Sequence, residues 1–296
     1  MINSKIKNSI KKIPYLKRIL KSMYYFSRSV KTSLFKTVYH LRGFEVRKSW
    51  SQQLEDVYIF NQLQIPIPTS NKDYWLVEVG ALDGITYSNT LMFENEFGLR
   101  CLLIEPDPVN FRKLEKNRIK SVCVECAIAP TSGEELFLGG GNAVGGIKNT
   151  VSERHKDRFK ESLTNEFKVK TNPLSKITKE LGIQNIYLLS IDCEGGDLGV
   201  IKSIDFDSVD IEIIIVETGE NEESISQFLT SKGFIQDRKL FGNQIWRTNN
   251  SSLSSFNNIK PNKNRNLAWE WKFMEGHLRK EAKKISKTLN YNNHFF

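Results

Sequence analysis

The chain has 296 residues, 39% hydrophobic and 26% charged, enough to bury one substantial core with appendages. Its formal net charge is +9, but the ends carry it: residues 1–48 hold 13 Lys and Arg against one acid, and residues 251–296 hold nine against three, leaving 49–250 at −9. An acidic middle weighs against a nucleic-acid substrate, because phosphates need a positive footprint.

The N-terminal segment places Ile2, Ile6, Ile10, Ile13, Leu16 and Leu20 at steps of three and four with lysines between them. That spacing predicts a basic amphipathic helix, kinked at Pro14. No apolar run reaches the ~20 residues that span a bilayer, and there is no signal-peptide pattern. Two readings stay open: an interfacial helix drawn to anionic lipid, or a basic helix packed on the core or on a partner. A second helix is predicted over 51–65, ended by Pro66 and Pro68, covering one face of a sheet.

The informative stretch runs from Trp75 to Pro108. The apolar run Trp75–Val79 stops at Gly80, a helix follows over 89–97, and a second run, Cys101–Ile104, ends at Glu105-Pro106. This is a βαβ unit, and its parallel pairing implies a sheet covered on both faces. Gly80 and Gly84 allow a sharp turn and close approach to a ligand. Glu105, 27 positions after Glu78, stands at the second strand tip, where a carboxylate can accept from both hydroxyls of a ribose. The turn lacks the third glycine of a dinucleotide fingerprint and contains Asp83, which repels a pyrophosphate. S-adenosylmethionine has no phosphate and carries a sulfonium and an ammonium, which suit acids at Glu78 and Asp83. An ordinary strand–helix turn is the bland alternative.

Farther on, Asp107 is the expected N-cap of a helix opening at Pro108. A third strand is expected over Val122–Ala129. It contains Cys123 and Cys126, a C-x-x-C with no second pair to complete a zinc site. All four cysteines therefore read as buried, reduced thiols, and the compartment as cytoplasmic. Residues 137–147, with five glycines among 139–146, read as a flexible loop near the ligand mouth. Residues 152–167 read as a polar helix in which His155 could serve as a base, with a solvated helix face the commoner reading for such a residue. A short strand at 168–171 and a helix from Pro173 lead to the strand Ile186–Ile191. This strand delivers Asp192, Glu194 and Asp197 to the same edge. A helix over 198–204 and a fifth strand, Ile211–Glu217, bring Glu217 there too. A helix over 224–233 and a hairpin, 234–238 with 243–248, close the domain. Residues 249–266 read as a linker and 267–289 as a basic helix.

Three motifs in order, E-V-G-A-x-D-G-x-x-x-S-N-T, L-I-E-P-x-P and L-L-S-I-D-x-E-G-x-D, resemble the FkbM-type methyltransferases over roughly 74–248. The resemblance implies a class I methyltransferase (Rossmann-like) α/β fold: a mostly parallel sheet with a final antiparallel strand and helices on both faces. Helical extensions would occupy 1–50 and 251–296 around a catalytic domain at 51–250. It implies S-adenosylmethionine held by Glu78, Gly80, Ala81, Asp83, Gly84, Ser88, Asn89, Glu105, Pro106, Asp107, Ala127, Ile128 and Asp192. It also implies a hydroxyl acceptor on a sugar, glycan or related small molecule. The family pattern usually sets an imidazole and a glutamate after E-G; here Gly196 and Asp197 stand there, which leaves the base unassigned. Asp192, Glu194 and Glu217 are the catalytic candidates, with Glu194 the leading base. The same acids could instead bind a divalent metal, though none is assigned. A catalytically inactive scaffold acting through its basic ends is the alternative from another class. Retention of Gly80, Glu105 and Asp192 argues against it.

Overall fold

The structure, a computed structural model, describes residues 49–60, 74–240 and 242–248. The expected helices over 1–48 and 267–289, the linker at 249–266 and the end of the 51–65 helix lie outside these residues. Contacts divide the chain into 1–48 and 49–296, and only the second unit is described below.

The elements are α1 (Glu55–Tyr58), β1 (Tyr74–Val79), α2 (Leu91–Phe97), β2 (Arg100–Ile104), α3 (Pro108–Asn117) and β3 (Val122–Val124). Then come β4 (Ala127–Ile128), β5 (Gly133–Gly139), β6 (Gly146–Ile147), α4 (Glu153–Arg158) and β7 (Asn165–Asn172). The chain continues with α5 (Leu174–Glu180), β8 (Asn185–Ile191), α6 (Asp197–Lys202), β9 (Asp210–Glu217), α7 (Glu222–Ser231), β10 (Phe234–Leu240) and β11 (Asn243–Thr248).

Seven strands form the main sheet in the order β10-β11-β9-β8-β1-β2-β3. β1 pairs in parallel with β2 and β8, and β9 pairs in parallel with β8. β11 enters between β9 and β10 and runs antiparallel to both. The register sets Val77 and Val79 beside Leu102 and Ile104 on one flank and beside Leu189 and Ile191 on the other. These six residues, with Ile214 and Val216 of β9, form the centre of the main core and are all nearly inaccessible. Their runs are largely apolar because both sheet faces are covered, with Glu78 and Ser190 the polar exceptions near the tips of β1 and β8. The chain winds outward from β1 to β3, then returns to β8 on the other flank of β1. The crevice at this reversal, outside the strands' carboxyl ends, is where open α/β sheets bind ligands.

Three expectations need correction. The run Val122–Ala129 is two strands, not one: β3 pairs with β2 in the main sheet, and β4 pairs with β7 in a second sheet of order β4-β7-β5-β6. Its alternation explains the split, since Cys126 and Ile128 pack into the main core while Ala127 packs into the small core with Phe137, Ile147 and Val169. The helix expected over 152–167 stops at Arg158, and 165–172 is strand β7 along β5. Phe167 and Val169 alternate toward the small core, where Phe137 and Phe167 lie 5.5 Å apart. The glycine-rich stretch is loop only between Gly139 and Gly146, because its ends belong to β5 and β6. All four cysteines are free; Cys101 and Cys126 are buried and the other two half-buried.

Candidate active site

The three central strand tips are tied by backbone bonds. Gly80 and Ala81 donate to the carbonyl of Ile104 at 2.9 and 3.0 Å, and Asp192 donates to that of Val79 at 3.1 Å. Gly80 has φ +85°, and a Cβ there would fall 2.0 Å from the Asp192 carbonyl oxygen. Only glycine fits this approach. Glu105 lies behind the turn, 5% exposed, with its carboxylate accepting from the amides of Leu82 (2.8 Å) and Asp107 (2.9 Å). Burial pushes its pKa up to about 8, against the pull of those amides. Asp83 turns back on its own loop and accepts from the amides of Ile85 and Thr86 and from the Thr86 hydroxyl. Those bonds outweigh its partial burial and hold its pKa below the ordinary value.

The S-N-T motif is a clamp around Glu78. The Glu78 carboxylate accepts from the Ser88 hydroxyl (2.8 Å), the Asn89 amide (2.9 Å) and the Thr90 hydroxyl (2.6 Å). Arg118 closes the clamp from α3's end, donating to the Gly84 carbonyl, Ser88 and Thr90, and pairing with Glu94 at 2.6 Å. Glu78 and Ser88 are thereby committed to holding the turn. The Asn89 side chain donates to the Ser190 hydroxyl at 2.9 Å, while its carbonyl oxygen is buried with no hydrogen-bond partner.

Asp107 also serves the scaffold. One carboxylate oxygen caps α3 through Val109 (2.8 Å) and Asn110 (3.4 Å), as the sequence predicts; the other accepts from Gly140 and Gly141 at 3.1 and 2.9 Å. One side chain therefore pins the glycine loop beside the β2 tip. Pro106 follows Glu105 in that turn. Ala127 and Ile128 are buried in β4, at the junction of the two cores.

The β8 tip is built around Asp197, which accepts from the amides of Cys193 (2.8 Å) and Gly195 (3.1 Å). This folds the intervening residues into a tight loop, with Glu194 at φ +50° and Gly195 at φ +103°. A non-glycine residue in that region is uncommon and strained. From this loop and the end of β9, Asp192, Glu194 and Glu217 bring one carboxylate oxygen each to within 4.8 Å of one another. Asp192 meets solvent but is recessed, surrounded by protein on most sides. The Asp192 charge and then burial push the Glu217 pKa well up. Burial and then the Asp192 charge do the same to Glu194. Burial raises Asp197 to about 7.

Two groups from the inserted layer complete the edge: His155, which the sequence offers as a base candidate, and Arg158, to which the sequence assigns no role. His155 is not on a solvated face: its Nδ1 lies 3.3 Å from Glu194, its Nε2 lies 2.9 Å from the Val144 carbonyl, and its side chain is 15% exposed. Arg158, one helical turn on, acts electrostatically on Glu194 and Glu217. Their i, i+3 spacing was the available signal, since it puts both on one face of α4. What hid it was the distance along the chain to Glu194.

The donor set fits a ligand with cationic centres. Three carboxylates converge on a crevice, a buried carbonyl oxygen at Asn89 lacks a donor, and the Gly80 turn leaves no room for a side chain. Glu105 stands at the neighbouring tip, its two carboxylate oxygens accepting from the Leu82 and Asp107 amides.

Fold and site together define a class I methyltransferase-like protein. The sequence matches the family described as Methyltransferase FkbM domain over residues 78–236, more than half of its length. The chain belongs to that family and carries its S-adenosylmethionine-dependent methyltransferase domain. No curated protein matches it. Among solved structures it is similar to methyltransferase FkbM from Methylobacillus flagellatus KT, with 11% identity and a TM-score of 0.41 over 65% of this chain and 47% of that one. It is also similar to a methyltransferase from Geobacter sulfurreducens, with 9% identity and a TM-score of 0.38 over 73% and 87% of the two chains. A human methyltransferase 10 domain containing protein gives 14% identity and a TM-score of 0.38 over 66% and 82%. Among the described residues no helix is long and apolar enough to cross a membrane.

Proposed function

We propose that this protein transfers the methyl group of S-adenosylmethionine to a hydroxyl oxygen of a sugar, glycan or related small molecule. The observation that carries the reading is the gathering of Asp192, Glu194 and Glu217 at one edge of the crevice, 4.8 Å or less apart. The cofactor supplies an electrophilic methyl carbon. The chain must hold the acceptor oxygen in line with that carbon, exclude water and take one proton. Asp192 orients the cofactor's ammonium end or the acceptor, Glu217 shares its proton with Asp192, and Glu194 is the base. Glu105 holds the ribose, and the Asn89 carbonyl receives a donor from the cofactor. Gly80, Ala81, Asp83 and Gly84 form the turn over it, Pro106 and Asp107 shape the mouth, and Ala127 and Ile128 line the adenine end. The basic segment 1–48 suits contact with an anionic membrane surface on the cytoplasmic face, which would bring the enzyme to a lipid-linked glycan.

Calorimetry with S-adenosylmethionine, S-adenosylhomocysteine and NAD tests the first half. Binding of the first two in the micromolar range, lost in Glu105→Ala, is expected; binding of none by folded protein would overturn the reading. A radiolabelled methyl-transfer screen over glycan and sugar acceptors tests the second half. Glu194→Gln should bind cofactor yet lose at least ~10²-fold in transfer, and full activity would remove Glu194 from the role.

A further inference from the structure

His155 reaches the site from α4, some 40 residues before the acid it touches, and both its ring nitrogens are engaged. The Val144 carbonyl can only accept, so Nε2 carries a hydrogen and donates it. Nδ1 is then the nitrogen presented to Glu194 Oε2 at 3.3 Å. A bare lone pair and a carboxylate oxygen repel, so the contact is favourable only with one proton between them, and burial, which lowers the ring's pKa and raises that of Glu194, draws that proton toward the acid in the ligand-free protein. The ring is also held from its own helix: the Ser152 hydroxyl caps α4 by accepting from the His155 amide, and the Phe159 ring lies 4.6 Å away. The charged groups facing the pair are Arg158 on α4, Asp192 and Asp197 around the β8 tip, and Glu217 from β9.

We propose that His155 is the positioning residue for Glu194, anchored on the glycine loop through Val144 and fixing one Glu194 oxygen so that the other faces the acceptor. This rests on the reading of Glu194 as the base. In the competent form the shared proton is on Nδ1 and Glu194 is a carboxylate. The acceptor's hydroxyl proton would then pass to the free Glu194 oxygen, while the O–H electron pair forms the new bond to the methyl carbon as that carbon's bond to sulfur breaks, its electron pair leaving with the cofactor's sulfur as a neutral thioether. The arrangement also ties proton uptake to the inserted layer: if the glycine loop moves, the Val144 carbonyl moves and the ring loses its anchor.

The test is nitrogen-15 NMR of the histidine rings in the full chain, with the His155 signals identified by their loss in His155→Gln. The chain has four histidines, so the spectrum is simple. The expected result is an Nε2–H tautomer whose titration midpoint falls by about one pH unit in Glu194→Gln, as loss of an opposite charge in contact requires. An Nδ1–H tautomer, or a midpoint that Glu194→Gln leaves in place, overturns the proposal. The tautomer is read on the unmutated protein, so it does not depend on any variant folding. A Glu194→Gln protein with full transfer activity sinks the base reading itself, whereas an unmoved His155 signal with lost transfer sinks only the positioning role.

Discussion

At the scale of single residues, the site depends on atoms that touch no ligand. Gly80 is held at φ +85° with the Asp192 carbonyl where a Cβ would be. Gly80→Ala must both strain the backbone and push the β8 tip away. The expected cost is on the order of 1–3 kcal/mol in chemical denaturation, accompanied by loss of S-adenosylmethionine affinity. Wild-type affinity in that variant would mean that the two strand tips need not touch. Glu78 shows the limit of reading charge from sequence. It is an acid at a strand end, yet its oxygens are taken by Ser88, Asn89 and Thr90. The motif sets its position; the fold of the turn sets its partners.

At the scale of elements, what could be read depended on how local the cause was. The strands at β1, β2, β8 and β9 were legible because each is a short apolar run ending at glycine or acid. The α3 cap was legible because Asp-Pro before a helix is a local signal. Of the inserted sheet only the middle of β7, expected at 168–171, was legible; its pairing with β5 some 30 residues away was not, because a strand's own residues do not name a distant partner. Asp107 couples these elements. Asp107→Ala removes the α3 cap and leaves two glycine amides without their acceptor. We expect a loss of about 1–2 kcal/mol and faster hydrogen exchange at Gly140 and Gly141. Unchanged exchange there would show that the loop is held by other contacts.

At the scale of the whole molecule, the described domain buries two acids, Glu55 and Glu105, against N–H donors of neutral amides. Burial holds Glu55 up at about 7 and Glu105 at about 8, against an ordinary 4.5. In the folded chain these groups keep protons that the unfolded chain has already released. The stability they contribute is complete below the unfolded value and is lost as pH climbs through the folded ones. The Tm of the ligand-free protein should therefore fall across the window from about 4.5 to about 8 set by those two groups. A cationic ligand favours the ionised acids at the strand tips. The Tm increment from S-adenosylmethionine should accordingly grow toward the alkaline end of that window. A thermal-shift series read across pH, with and without cofactor, checks both signs, and an increment that shrinks would mean that the cofactor's charge does not meet these carboxylates.

The insertion of β11 between β9 and β10 has a consequence for synthesis. A chain still emerging from the ribosome can lay down β1, β2, β3, β8 and β9 in parallel as each appears. The strand that joins β10 to them is the last made of the described strands, so this sheet cannot close until residue 248 has left the exit tunnel, and until then β9 presents a bare edge to whatever chaperone stands there.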